Sequence, residues 1–155
     1  MGEQIEAKRL LINGNWRESS ENFEVRSPFS GETLARVCKA GEDEIEETIA
    51  SAARAAAEMR ELARSEVYEG LSRIAAGIKE RRDEFACTIA LEAAKPITAA
   101  RGEVERSIGT FEMAAAEART FTGEVVPVDA QALGKNRFAW TERVPRGIIF
   151  WNYSV

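Results

Sequence analysis

The chain has 155 residues, a net charge of −5, 45% hydrophobic and 30% charged residues, and no histidine. That length is about one domain's worth, able to bury roughly two thirds of its unfolded surface. The charges are interleaved with no basic block, which excludes nucleic acid as the expected partner. The missing imidazoles exclude His-based triads, His-ligated metals and imidazole general bases.

No apolar run approaches a membrane span, and the start shows no charged-then-apolar leader, so a cytoplasmic protein without a membrane partner is expected. Cys38 and Cys87 have no CxxC partner. A disulfide framework is therefore not expected, and both thiols read as small buried hydrophobes.

Residues 1–9 are polar and read as loose. The stretch LLINGNW (10–16) then sets Asn13-Gly14 between apolar residues, the strongest short-range hairpin signal. FEVRSP (23–28) alternates as a short strand broken at Pro28, Ser30 to Glu32 is a turn, and TLARVC (33–38) returns as a strand. A small antiparallel unit is expected.

From about Asp43 the period lengthens. Ile45, Ile49, Ala53, Ala56 and Met59 share one face at helical spacing, behind an acidic first turn that suits a helix dipole. Ser65 is the expected cap of a second helix carrying Val67, Leu71, Ile74, Ala75 and Ile78. A third helix runs from about Asp83 through Phe85, Ile89 and Leu91 and stops before Pro96. Pro96 opens a long fourth helix striped by Val104, Ile108, Phe111, Ala115 and Ala118, with Gly123 just past its end.

After Gly123 the pattern returns to strands, with EVVPV (124–128) and RFAWTERV (137–144) linked through Gly134 as a ribbon over 124–144. By alternation Phe138, Trp140, Glu142 and Val144 share a face, strongest at the two aromatics. A two-stranded ribbon is marginal alone and wants a sheet or another chain. Last, IIFW (148–151) shows no polar alternation and reads as a strand buried on both faces of a parallel sheet. Such a strand needs a neighbour and a crossover helix, so the chain reads as the opening section of a larger α/β protein.

These segments, in order from about Leu10 to Ile149, resemble the N-terminal region of the NAD(P)-dependent aldehyde dehydrogenase superfamily. The resemblance rests on INGNW (12–16), on SPFSGET (27–33) followed by Val37, and on the alanine-rich helix 45–59. It continues in EAAKP (92–96), similar to the family's Glu-x-Gly-Lys-Pro, then in ARGEV (100–104) and RVPRGII (143–149). It implies an α/β family fragment: a β hairpin, four helices and a long β ribbon. Residues 1–123 would form the N-terminal part of the cofactor-binding domain, 124–144 an oligomerisation-type ribbon, and 145–155 the start of the parallel sheet.

The resemblance implies NAD or NADP as cofactor for the whole enzyme and oxidation of an aldehyde to a carboxylic acid. It also implies a homo-oligomer joined through the 124–144 ribbon, to which the apolar strand 148–151 adds a second edge. FWNY (150–153) is similar to the family's Pro-Trp-Asn-Phe-Pro, which gives Asn152 the role of hydrogen-bond donor to the developing oxyanion. Both flanking prolines are missing, and Asn152 follows Gly147 sooner than the pattern expects. The family's cysteine nucleophile, glutamate base and dinucleotide-binding turn have no counterpart here, and no GxGxxG occurs. Glu92 beside Lys95 reads as a solvated pair, and Glu103 with Glu105 as a wet helix face. The chain alone is expected to be inactive; the alternative is a non-catalytic interaction module that keeps the family scaffold.

Overall fold

The computed structural model describes residues 7–151. β1 (Ala7–Lys8) pairs parallel with β5 (Thr33–Lys39), and β4 (Glu21–Arg26) pairs antiparallel with β5, giving the sheet order β1-β5-β4. Two residues read as loose therefore form a strand. β2 (Leu10–Ile12) and β3 (Asn15–Arg17) make a separate antiparallel hairpin in which Leu11 faces Trp16. Its two turn residues, Asn13 (φ 50°) and Gly14 (φ 75°), both take the left-handed conformation that suits the twist of a tight hairpin. Between β4 and β5, the buried Ser27 hydroxyl accepts from the Phe29 and Ser30 amides at 3.3 and 3.2 Å. That hydroxyl fixes the turn whose tip presents Phe29 to solvent.

Four helices follow: α1 (Glu42–Glu61), α2 (Arg64–Glu80), α3 (Arg82–Glu92) and α4 (Ile97–Thr120). The first two begin with the same device. The Glu44 carboxylate accepts from the Gly41 amide at 2.8 Å, and the Glu66 carboxylate from the Ala63 amide at 2.7 Å. Each satisfies an amide at the helix entrance from the third helical position. Ser65, expected to cap α2, instead lies inside its first turn, because Glu66 reaches back to Ala63.

The core lies where α3 and α4 meet. Ala86 and Ala100 are wholly buried beside Val104 and Ile108, with Ile78 of α2 and Ile89 and Ala90 of α3 packed on them. The two alanines let the helix axes approach closely, and burying Val104 and Ile108 contributes roughly 1.5–3 kcal/mol each. α3 turns Ala86, Ile89 and Ala90 inward, so Phe85 and Leu91 of the expected stripe point outward. On α2, Ala75 is buried and Ile74 is not.

α1 departs most from expectation, since none of its residues is buried. It docks on the β2–β3 hairpin by a polar face: Arg17 grips the Glu47 carboxylate with two hydrogen bonds, 2.6 and 2.7 Å, and the Ser51 hydroxyl donates to Asn13 at 3.0 Å. Ile45 and Ile49 of its apolar stripe are exposed, while Ala52, Ala56 and Met59 border residues 145–149.

The ribbon is present with a short ladder. β6 (Val125–Val126) pairs with β7 (Ala139–Trp140), and the Thr141 amide extends the pairing to the Glu124 carbonyl at 2.9 Å. Pro127 has no amide hydrogen to continue β6, and two 3₁₀ turns, Val128–Ala130 and Ala132–Gly134, take its place. No strand forms between residues 141 and 151. The expected strand at 148–151 has no neighbouring strand among the described residues to pair with, and its side chains stand exposed.

Candidate functional site

The motif EAAKP builds the turn between α3 and α4. Ala93 closes α3, Ala94 takes φ 49°, and the Lys95 amide returns to the Ala90 carbonyl at 3.2 Å. This is a Schellman closure, in which the residue past the cap is left-handed and the next amide satisfies an orphan carbonyl. Ala94 occupies the position where the resembling pattern carries glycine, so the turn keeps its shape with a strained residue. Pro96 then enters α4 at φ −55° and sits just before Ile97, the first helical residue.

Lys95 does not pair with Glu92. Its ammonium donates to the carboxylate of Glu103, where both side chains are about one third exposed. The Lys95 hydrogen bond, reinforced by its charge, holds the Glu103 carboxyl below its ordinary 4.5. Glu105 is exposed, as expected of a wet face.

An open groove of about 740 Å³ runs between α2 and α4, with Tyr68, Ser72 and Lys79 on one side, Arg119 on the other, and Ala75 and Ala115 as its floor. The Arg119 guanidinium stacks on Tyr68 at 4.6 Å, already neutralising part of the ring's attraction for a cation. A second such stack, Arg143 over Phe121 at 4.4 Å, together with the Arg143 hydrogen bond to the Thr122 carbonyl at 3.2 Å, ties the exit of the ribbon to the end of α4. Neither contact was readable from sequence, because each joins side chains far apart along the chain.

The residues expected to carry chemistry do not converge. Cys38 is buried in β5, as expected, but Cys87 is exposed. The helical spacing that turns Ala86 and Ala90 toward α4 puts position 87 on the outer side. Asn152 lies outside the described residues. Among the described residues no group of three His, Cys, Asp or Glu side chains could hold a metal. β5 and α1 are joined by a short strand-to-helix turn, the element that cradles phosphate in dinucleotide folds. Here Glu42, Asp43 and Glu44 fill the first helical turn, and Glu44 takes the Gly41 amide. An anionic phosphate is repelled there, so that turn does not fit a dinucleotide.

The sequence model of the aldehyde dehydrogenase family matches residues 16–155. The 3-sulfolactaldehyde dehydrogenase of Priestia aryabhattai is 34% identical over 146 residues, covering 94% of this chain and 30% of the relative. The lactaldehyde dehydrogenase of Methanocaldococcus jannaschii is 36% identical over 140 residues, covering 90% and 29%. Among solved structures, aldehyde dehydrogenase 21 of Physcomitrella patens, in complex with the reaction product succinate, superposes with a TM-score of 0.78 at 30% identity. That match covers 85% of this chain and 28% of the other. The NADP complex of glyceraldehyde-3-phosphate dehydrogenase from M. jannaschii gives 0.66 at 38% identity, over 72% and 24%.

The mixed α/β architecture is thus that of the N-terminal part of the aldehyde dehydrogenase fold. The chain belongs to the aldehyde dehydrogenase family. It spans about 30% of the length of the curated relatives it matches.

Proposed function

We propose that this chain is the scaffold portion of an NAD(P)-dependent dehydrogenase that oxidises an aldehyde to a carboxylic acid, and that the 155-residue chain has no such activity by itself. The observation that carries the reading is the family match, which runs through nearly the whole chain. In this reading residues 1–123 belong to the cofactor-binding domain, 124–144 to the oligomerisation ribbon and 145–155 to the start of the parallel sheet. Asn152 donates its amide hydrogen to the oxygen of the reacting aldehyde. NAD or NADP serves the whole enzyme, in the cytoplasm; no helix among the described residues is long and apolar enough to cross a membrane.

The two thiols support the reading that the chain alone is inactive. Covalent oxidation of an aldehyde needs a thiolate with a partner that lowers its pKa and a base to release the acyl group. Cys38 is enclosed in the sheet, and no ion pair or hydrogen bond engages Cys87 among the described residues. A purified sample incubated with an aldehyde and either nicotinamide cofactor is expected to form no reduced cofactor. Reduced cofactor formed by wild type and lost in Cys38→Ser or Cys87→Ser overturns the claim.

The same reading makes the chain a homo-oligomer through the ribbon and residues 148–151. Phe138 and Trp140 support it: their rings lie 5.6 Å apart on one face of the ribbon, and both are exposed. Ile149, Phe150 and Trp151 add further exposed apolar surface. The competing reading is a non-catalytic interaction module that keeps the family scaffold. The reading frame beyond Val155 separates the two: a glycine-rich turn with a Cys/Glu pair supports the dehydrogenase, and their absence supports the module.

A further inference from the structure

The β2–β3 turn sets the Asn13 side-chain carboxamide next along the chain to the Gly14 amide nitrogen, the two groups that close a five-membered succinimide. Nothing lies within 4 Å of where a Cβ on Gly14 would stand, so that nitrogen is unshielded. Among the described residues the Gly14 amide donates no hydrogen bond. Asn136 shows the contrast. It shares the left-handed backbone, at φ 65°, but the nitrogen after it belongs to Arg137 and donates to the Gly134 carbonyl at 3.0 Å. Asn13 itself is held at two places: Ser51 of α1 donates to its Oδ1 at 3.0 Å, and the Asn15 side-chain amide donates to its main-chain carbonyl at 3.0 Å. Arg17 of the same hairpin holds Glu47, one helical turn before Ser51.

We propose that Asn13-Gly14 is a self-modification site restrained by α1: the asparagine converts to isoaspartate through a succinimide, and the product releases the hairpin from α1. The Gly14 nitrogen attacks Cγ of Asn13, and the side-chain nitrogen leaves as ammonia, carrying away the amide proton. Water then opens the ring. Opening at Cγ gives aspartate, and opening at the main-chain carbonyl gives isoaspartate. Neither step needs an oxidant or a cofactor. Ring closure requires rotation about the Asn13 Cα–C bond, out of the left-handed turn. The reaction therefore runs from the locally opened hairpin, and each contact to α1 slows it by stabilising the closed form. Isoaspartate adds one methylene to the main chain of a two-residue turn closed by Ile12 and Asn15. The register of Leu11 with Trp16 is lost with it, and so is the Ser51 contact. All the groups involved lie within this chain, so the chemistry is independent of the dehydrogenase reading.

Peptide mapping of the full chain held at mildly alkaline pH tests this, with amide loss and isoaspartate read at each asparagine. Wild type is expected to convert at Asn13 while Asn136 keeps its amide, and to convert faster in urea, where nothing restrains the turn. Ser51→Ala and Arg17→Ala are each expected to speed conversion roughly twofold to tenfold, the range set by losing one exposed polar contact. Circular dichroism checks that both variants keep their helix content. The converted chain, separated from the unconverted, is expected to exchange faster at the Ile12 and Trp16 amides with α4 unchanged. Asn13 converting no faster than Asn136, a folded chain converting as fast as one in urea, folded variants with the wild-type rate, or a product that keeps its hairpin protection each overturns the proposal.

Discussion

Lys95 reaches across the α3–α4 turn to Glu103, so the residue after the left-handed Ala94 is tied to the second turn of the helix that follows. The turn is thereby held from both ends: by the Lys95 amide on the Ala90 carbonyl and by the Lys95 ammonium on Glu103. Its one unfavourable component is the methyl group of Ala94.

Ala94→Gly removes that strain. Left-handed backbone costs an L-residue about 1 kcal/mol relative to glycine, and part of the gain is offset by the greater freedom of glycine in the unfolded chain. A net stabilisation of about 0.5–1 kcal/mol is expected in urea unfolding. A lower midpoint for the variant would show that the turn relaxes differently.

Acid should weaken the fold through three carboxylates. Glu103 is held below its ordinary 4.5 by Lys95, Glu24 by Arg26, and Glu84 by Arg81. A folded-state pKa below the unfolded value makes the stabilisation complete above 4.5 and lost as pH falls through the lower folded values. Thermal midpoints should therefore be flat near neutrality and drop on the acid side. Glu103→Gln should lower the neutral midpoint and flatten the acid limb; an equally steep limb would remove the Lys95 pair from the account.

The ribbon depends on two glycines that admit no side chain. A Cβ on Gly123 would collide with the Thr141 carbonyl, and one on Gly134 with the Val128 carbonyl. Gly123→Ala or Gly134→Ala is expected to open the ribbon at a local cost of about 1–3 kcal/mol. Hydrogen exchange at the Thr141 amide should accelerate while α4 amides keep their protection. Unchanged exchange at Thr141 would mean that the backbone shifts to accommodate the methyl.

The two thiols should separate cleanly in labelling. Cys87 is exposed and Cys38 buried, so one equivalent of a thiol reagent reacts at once and the second at the rate of local opening. Cys87→Ser should abolish the fast phase alone.

Local chemistry explains what the sequence made legible. Asn13-Gly14 and Pro96 act within a few residues, and each appears where its backbone preference places it. The α4 stripe was readable because Val104, Ile108 and Ala115 recur at helical spacing and are all buried. Ser65 misled because two good N-terminal residues compete, and the longer reach of Glu66 wins. The α1 stripe misled because periodicity reports which face is apolar, not whether anything covers it. The left-handed Ala94 had no signal in its own identity; only comparison with a glycine-bearing pattern pointed to it. Asn152, the one residue nominated for chemistry, falls outside the described residues.

The parallel pairing of β1 has a kinetic side. Ala7 and Lys8 join Arg36 and Val37 only after the β2–β3 hairpin and β4 have both been laid down, so this contact closes the largest loop in the N-terminal sheet. Two register pairs must bear that closure entropy. β1 is therefore the last strand to join during folding, and the first to leave when the sheet breathes.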